Sequence, residues 1–304
     1  MSNAMADVST EPTGAASWPA TRLFYWSVRC ELWENRSLYL APLAAGALFL
    51  AGFLISLITL PHRIRVALEL GVEQQHNAVA QPYVVAAGLL MVTTMIVSAF
   101  YCLNALYGER HDRSLLFWKS MPVSDLTTVL AKAFVPIVIL QALSFAVTMA
   151  LYCIMAPLSS AVLAGSGLNV AAMWEQLGLF QMSLGLFYHL MVLHGFGFAP
   201  VYCWLLLVSS WARRTPFLWA VLPPLAIGIV EKVAFNTTHF VGLLGWFFGG
   251  GDGGMAGSDG FPIGPTAHVM PSAMLGQPSL WVGLLLSAVF LLAAARMRRY
   301  REPT

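Results

Sequence analysis

Glu109 and Arg113 stand four residues apart in YGERHDRSLLFWKSMPVSDLTTVLAK, residues 107–132. On a helix that spacing puts a carboxylate and a guanidinium on one face, where they suit an ion pair on a solvated surface. Leu115, Leu116 and Trp118 give the same short helix an apolar side. Charge for register beside an apolar anchor suits docking onto another surface. Met121-Pro122 is expected to end the helix, and Ser124 and Asp125 to cap the next one. A solvated loop whose apolar side rests on a bilayer is the competing reading of these residues.

His189 and His194 also invite chemistry, namely a bound metal. They are five apart, which on an α-helix separates them by about 140°, whereas an HExxH zinc site uses a four-residue step. His62, His76, His111, His239 and His268 are scattered over connections. None of the seven is expected to ligate a metal. Cys30, Cys102, Cys153 and Cys203 form no CxxC pair and read as small hydrophobes. No GxxxxGK[ST] phosphate loop and no GxSxG nucleophile turn occurs. The chain is therefore not expected to be an enzyme, nor to hold a cofactor or nucleic acid.

The elements that position these residues follow from composition. Hydrophobic residues make up 58% of the 304 and charged residues 10%, against about 25% charged in a soluble domain. With a mean hydropathy of +0.72, this is the composition of an all-α integral membrane protein. About 20 apolar residues span the hydrocarbon core as a helix. Six runs qualify, at 38–60, 83–106, 129–156, 183–210, 216–233 and 279–295. Gly195, Gly197 and Pro200 predict a bend in the fourth, and Pro223-Pro224 a kink in the fifth.

Thirteen of the sixteen Lys and Arg residues fall on one side of this six-span topology. Arg63, Arg65 and Lys232 fall on the other. The positive-inside rule then makes both termini cytoplasmic. Residues 1–20, with Ser2-Asn3-Ala4 resembling a cloning scar, are expected to be a tag and unstructured. Residues 21–37 read as an amphipathic helix in the cytoplasmic interface, with Leu23, Trp26, Cys30 and Trp33 on one face. The transmembrane domain covers 38–295. It includes a cytoplasmic connection at 107–128 and a Gly-rich outer segment at 234–278, where Val241 to Phe248 suits a short re-entrant helix. Residues 296–304 are a basic tail.

The run ERHDRSLLFWKSMPVSDLTTVLAK resembles the connection between spans two and three of ABC-2 type transporter permeases. Glu109, Arg113, Ser114, Leu115, Ser120, Pro122, Val123 and Ser124 match the pattern E-x-x-x-[RG]-[ST]-[LI]-x-x-x-x-[ST]-x-P-[VI]-[ST], and Lys132 opens span three. The resemblance implies the transmembrane subunit of a bacterial ABC exporter with a type V exporter-like fold, in the inner (plasma) membrane. It implies that this connection is a coupling helix for a separate cytoplasmic ATPase, which would hold the ATP and Mg. Glu109, Arg110, Arg113, Ser114, Leu115, Trp118, Lys119, Ser120 and Pro122 would form that interface. Substituting Glu109 or Arg113 is expected to weaken docking while leaving the spans folded. A second permease subunit, identical or not, and membrane lipid are the other expected partners.

Polar side chains within spans mark interior faces. Thr94 and Ser98 in span two, and Gln141, Ser144 and Thr148 in span three, form two stripes that would line a transport pathway at a dimer interface. Only Glu231 and Lys232 read as charges close to a span. An apolar pathway suits a hydrophobic or amphiphilic cargo such as a lipid, a peptide or an antimicrobial. An ion-coupled secondary carrier, a membrane-embedded hydrolase and a non-transporting scaffold or receptor subunit are the alternatives.

Overall fold

A computed structural model describes residues 19–70, 72–111, 124–240, 242 and 278–300. Helix is the only regular structure among them. Six helical segments are long and apolar enough to cross a membrane: Ser37–Ser56, Val79–His111, Asp125–Gly165, Met173–Gly197, Pro216–Phe235 and Pro278–Tyr300. The six spans expected from hydropathy are thus the six found, with shifted ends. The chain is a multi-pass membrane protein by length and composition of its helices.

In chain order the helices are α1 (Ala20–Glu34), α2 (Ser37–Ser56), α3 (Leu60–Leu70), α4 (Val72–Ala105) and α5 (Tyr107–His111). Then follow α6 (Asp125–Phe134), a first π-helix (Val135–Ile139), α7 (Leu140–Gly165), α8 (Val170–Leu177) and α9 (Leu179–Tyr188). A second π-helix (His189–Gly197), α10 (Ala199–Trp211), α11 (Pro216–Phe235) and α12 (Pro278–Tyr300) complete the fold. Ser124 caps α6 as its sequence suggests, its Oγ accepting from the Thr127 N–H at 3.1 Å.

Two breaks in the helices have identifiable causes. Pro136 has no N–H and its ring crowds the preceding turn, and the chain accommodates it by widening into the first π-helix. The bend expected near Gly195, Gly197 and Pro200 is the second π-helix, which divides the fourth apolar run into α9 and α10. The two π-helices pack against each other. α11, in contrast, continues through Pro223 and Pro224 to an Asn236 at φ 52°.

α10 lies against both α4 and α12, α2 and α7 flank α4, and α1 packs on α6. One core, including Phe53, Tyr83, Leu90, Leu151 and Met155, joins α2, α4 and α7. A second, including Val28, Tyr101, Val135, Leu140 and Tyr202, lies towards the α1 end. Arg63 and Arg65, on the side with few cations, each have a structural partner. Arg63 donates to Gln81 Oε1 at 2.8 Å, and Arg65 to the Ser166 carbonyl at 3.2 Å, holding α3 to α4 and to the end of α7.

Candidate functional site

α1 packs one face on the protein and leaves its tryptophans outside. Val28 and Glu31 are buried, with Phe24 and Leu32 packed into the same core. Trp26 and Trp33 are exposed, and the Arg29 guanidinium lies 5.0 and 4.7 Å from their ring centroids. Glu31 therefore enters the bundle, where a carboxylate needs partners. Its Oε1 meets the Lys132 ammonium directly, and its Oε2 accepts a 2.9 Å bond from the Tyr101 hydroxyl. Burial, followed by the Glu31 charge, raises Glu34 above the ordinary carboxylate range.

From Lys132 the network runs on. Its Nζ is 3.0 Å from Glu109 Oε1, and Glu109 Oε2 is 3.3 Å from Arg298 Nη2. Arg298 Nε reaches Asp125 Oδ1 at 3.5 Å. Glu31, Glu109, Lys132 and Arg298 are each less than a tenth exposed, while Asp125 is partly open. One ionic chain thus joins α1, α5, α6 and α12 at the end of the bundle from which the 112–123 connection leaves.

Two sequence expectations change here. Glu109 does not sit on a solvated face; Lys132 and Arg298 enclose it. Its carboxylate lies where α4, α6 and α12 converge, a location that a four-residue spacing cannot reveal. Losing it would strip two buried cations of a counter-charge, so it cannot be replaced without cost to the fold. Nor are the spans nearly free of charge, since Glu109, Lys132 and Arg298 all lie within the helices counted as spans.

Arg110, also buried, makes a second connection. It donates to the Ser209 carbonyl and, at 2.9 Å, to the Ala212 carbonyl, at the C-terminal end of α10. Those carbonyls have no helical donors, and the helix dipole favours a cation beside them. In return the buried Ser209 Oγ accepts from the Leu106 and Tyr107 N–H groups at 3.1 and 2.9 Å, where α4 breaks into α5. The two helix ends cap each other. Arg110→Ala is expected to lower the stability of the purified protein by about 1.5–3 kcal/mol, and Arg110→Lys to recover only part of it because the two-pronged geometry is lost. Thermal unfolding in detergent checks this; an unchanged melting temperature for Arg110→Ala would remove the capping role.

Arg113, Ser114, Leu115, Trp118, Lys119, Ser120 and Pro122 lie outside the described residues, as do residues 243–277 of the Gly-rich segment. Thr94, Ser98, Gln141, Ser144 and Thr148 are essentially inaccessible. They face the interior of this one chain. Thr148 Oγ1 donates to the Ser144 carbonyl at 2.8 Å, and Gln141 Nε2 to the Pro136 carbonyl at 3.2 Å. Tyr202 is within electrostatic reach of Ser98 and Gln141. The geometry nevertheless closes no hydrogen bond at Tyr202 Oη, Ser98 Oγ or Gln141 Oε1.

His189 and His194 are positions i and i+5 of the second π-helix, whose wider turn closes its hydrogen bonds at five residues rather than four. Their ring centroids are 5.0 Å apart, so they are neighbours and not on diverging faces. Among the described residues, no three His, Cys, Asp or Glu side chains gather as a metal site. Glu231, near the other end of the bundle, accepts from Thr237 Oγ1 at 2.9 Å and from the His239 and Phe240 N–H groups, closing the turn after α11.

Glu31, Tyr101 and Arg298 were not singled out from sequence. Lys132 offered a route to them, because an ammonium inside an apolar run requires acids. On the expected topology, the acids near the ends of spans one to three on its side are Glu31, Glu34, Glu109, Asp112 and Asp125. Choosing among them required the packing of α1 and α12 on α6. Comparison with known proteins returns no matching family model, no matching curated protein and no matching solved structure.

Proposed function

We propose that this chain is the transmembrane permease subunit of an ATP-driven transporter of ABC-2 type, located in a bacterial inner membrane with both termini cytoplasmic. It works with a second permease subunit and a separate cytoplasmic ATPase that binds ATP and Mg, and it exports a hydrophobic or amphiphilic cargo. The observation that carries this reading is the ionic chain at the base of the 112–123 connection. Glu109 leads into the connection and Asp125 leads out of it, and both are tied through Lys132 and Arg298 to α1 and α12. A force applied to the connection by a bound partner would reach the first helix and the last span together. Paired buried charges resist stretching, because separating them in a low dielectric is costly.

In this reading Glu109 and Arg110 act behind the interface, as positioning residues, and the ATPase meets the residues that follow them. The test is affinity isolation of the chain from native membranes, with ATPase assay of the eluate. An ATP-binding protein should be recovered with it, and its hydrolysis should depend on the chain. Isolation of the chain alone, or transport driven by an ion gradient without ATP, would reject the proposal in favour of a scaffold or a secondary carrier.

A further inference from the structure

Two adjoining cavities lie along the outside of α4. The larger, about 580 Å³, has Asn35, Ser37, Asn104 and Tyr107 in its wall. The deeper, about 310 Å³, is lined by apolar groups including Met95, Ala99, Val201 and Leu205, with the Tyr202 ring. Ile96, Phe100, Leu103 and Phe217 belong to both, so the two form one groove between α4, α10 and α11. Ile96, Phe100 and Phe217 are exposed, which opens the groove sideways from the bundle.

Its dimensions and polarity follow the membrane. The polar mouth is at span ends: Asn35 and Ser37 bracket the start of α2, Tyr107 is near the end of span two, and Pro216, also lining it, begins α11. From Tyr107 to Met95 is about 18 Å along a helix at 1.5 Å per residue, close to the ~15 Å depth of one leaflet's hydrocarbon. Arg36 lies between two mouth residues, and Arg213 and Arg214 just precede Pro216. All three are exposed, and among the described residues no carboxylate pairs with them.

We infer that this groove is a binding site for one anionic phospholipid. Its phosphate-bearing headgroup lies at Arg36, Arg213 and Arg214, and an acyl chain runs over Phe100 to Met95. Three exposed guanidinium groups, adjacent in sequence to mouth residues and with no carboxylate partner among the described residues, match an acidic headgroup on a chain that enters an apolar channel one leaflet deep. The polar wall can hydrogen-bond the glycerol ester region. This inference is independent of the transport reading, since a lipid held here needs neither an ATPase nor a cargo.

The experiment titrates the purified full chain in a neutral detergent with phosphatidylglycerol or phosphatidylcholine of identical acyl chains, counting bound lipid by native mass spectrometry. One phosphatidylglycerol should be retained in preference to phosphatidylcholine. The combined variant R36Q, R213Q and R214Q should lose that preference by at least about tenfold while melting like the parent without added lipid. Ala99→Trp, which fills the deep part, should abolish retention of both lipids. Equal retention of the two lipids by the parent would overturn the inference, as would an unchanged preference in the arginine variant or undiminished binding in Ala99→Trp. Chain-to-chain cross-linking through F217C in native membranes would assign the groove to a second copy of the chain and also overturn it.

Discussion

Replacing Lys132 by methionine is expected to be the most damaging single substitution in the bundle, costing about 3–5 kcal/mol. Methionine fits the space and keeps the helix, so the cost comes from the charges left behind. Lys132 is 2% exposed and is the shared counter-ion of Glu31 and Glu109. Without it Glu31 retains, among the described residues, the Tyr101 hydroxyl, and two carboxylates confront each other where water cannot screen them. The double variant Glu31→Gln/Lys132→Met removes a charge of each sign, while Glu109 keeps its contact with Arg298. It should therefore be more stable than Lys132→Met alone, a non-additivity that isolates the pair. Cys102 and Cys203 are fully buried and free, so the rise in reaction with a thiol-reactive dye above the Cys30 and Cys153 background reads thermal unfolding without introduced cysteines. A Lys132→Met protein that melts with the parent would refute the ionic chain. So would a double variant whose loss equals the sum of the two single losses.

Gly195→Ala should produce the second large effect, by steric conflict. A Cβ at residue 195 would lie 2.6 Å from the Ile137 carbonyl oxygen, in the backbone of the first π-helix. Backbone cannot rotate away as a side-chain end can, so one π-helix must shift. Overpacking of this kind costs about 1–3 kcal/mol. Gly185 supplies the control, because a Cβ there meets nothing within 4 Å. Gly185→Ala, inside α9, should be neutral or stabilising by about 0.5–1 kcal/mol through improved helix propensity. The same unfolding assay compares them. Equal melting temperatures for the two variants would mean that the π-helices do not need to approach so closely. Gln141, whose Cγ lies 3.8 Å from that added Cβ, should be displaced along with its hydrogen bond to the Pro136 carbonyl.

The membrane class, the six spans and the clustering of cations at one end follow from the sequence alone. Each rests on local composition: a run of apolar residues must leave water wherever its neighbours lie. The cap at Ser124 and the break at Gly195 and Gly197 were legible for the same reason, since turn chemistry acts within a few residues. Pro136 and the histidine pair show where locality ends. An α-helical wheel separates His189 from His194, and the π-turn that reunites them depends on the packing of one span against another. The ionic chain was decided by tertiary structure entirely. Glu31 and Lys132 are about a hundred residues apart, and Glu109 and Arg298 still further. Lys132 apart, each charge alone looks like a solvated or interfacial group, and only the convergence of α1, α6 and α12 turns them into buried partners. The polar stripes of α4 and α7 were readable as stripes. That they face the interior of this one chain was set by where α10 and the π-helices pack, which period and polarity cannot specify.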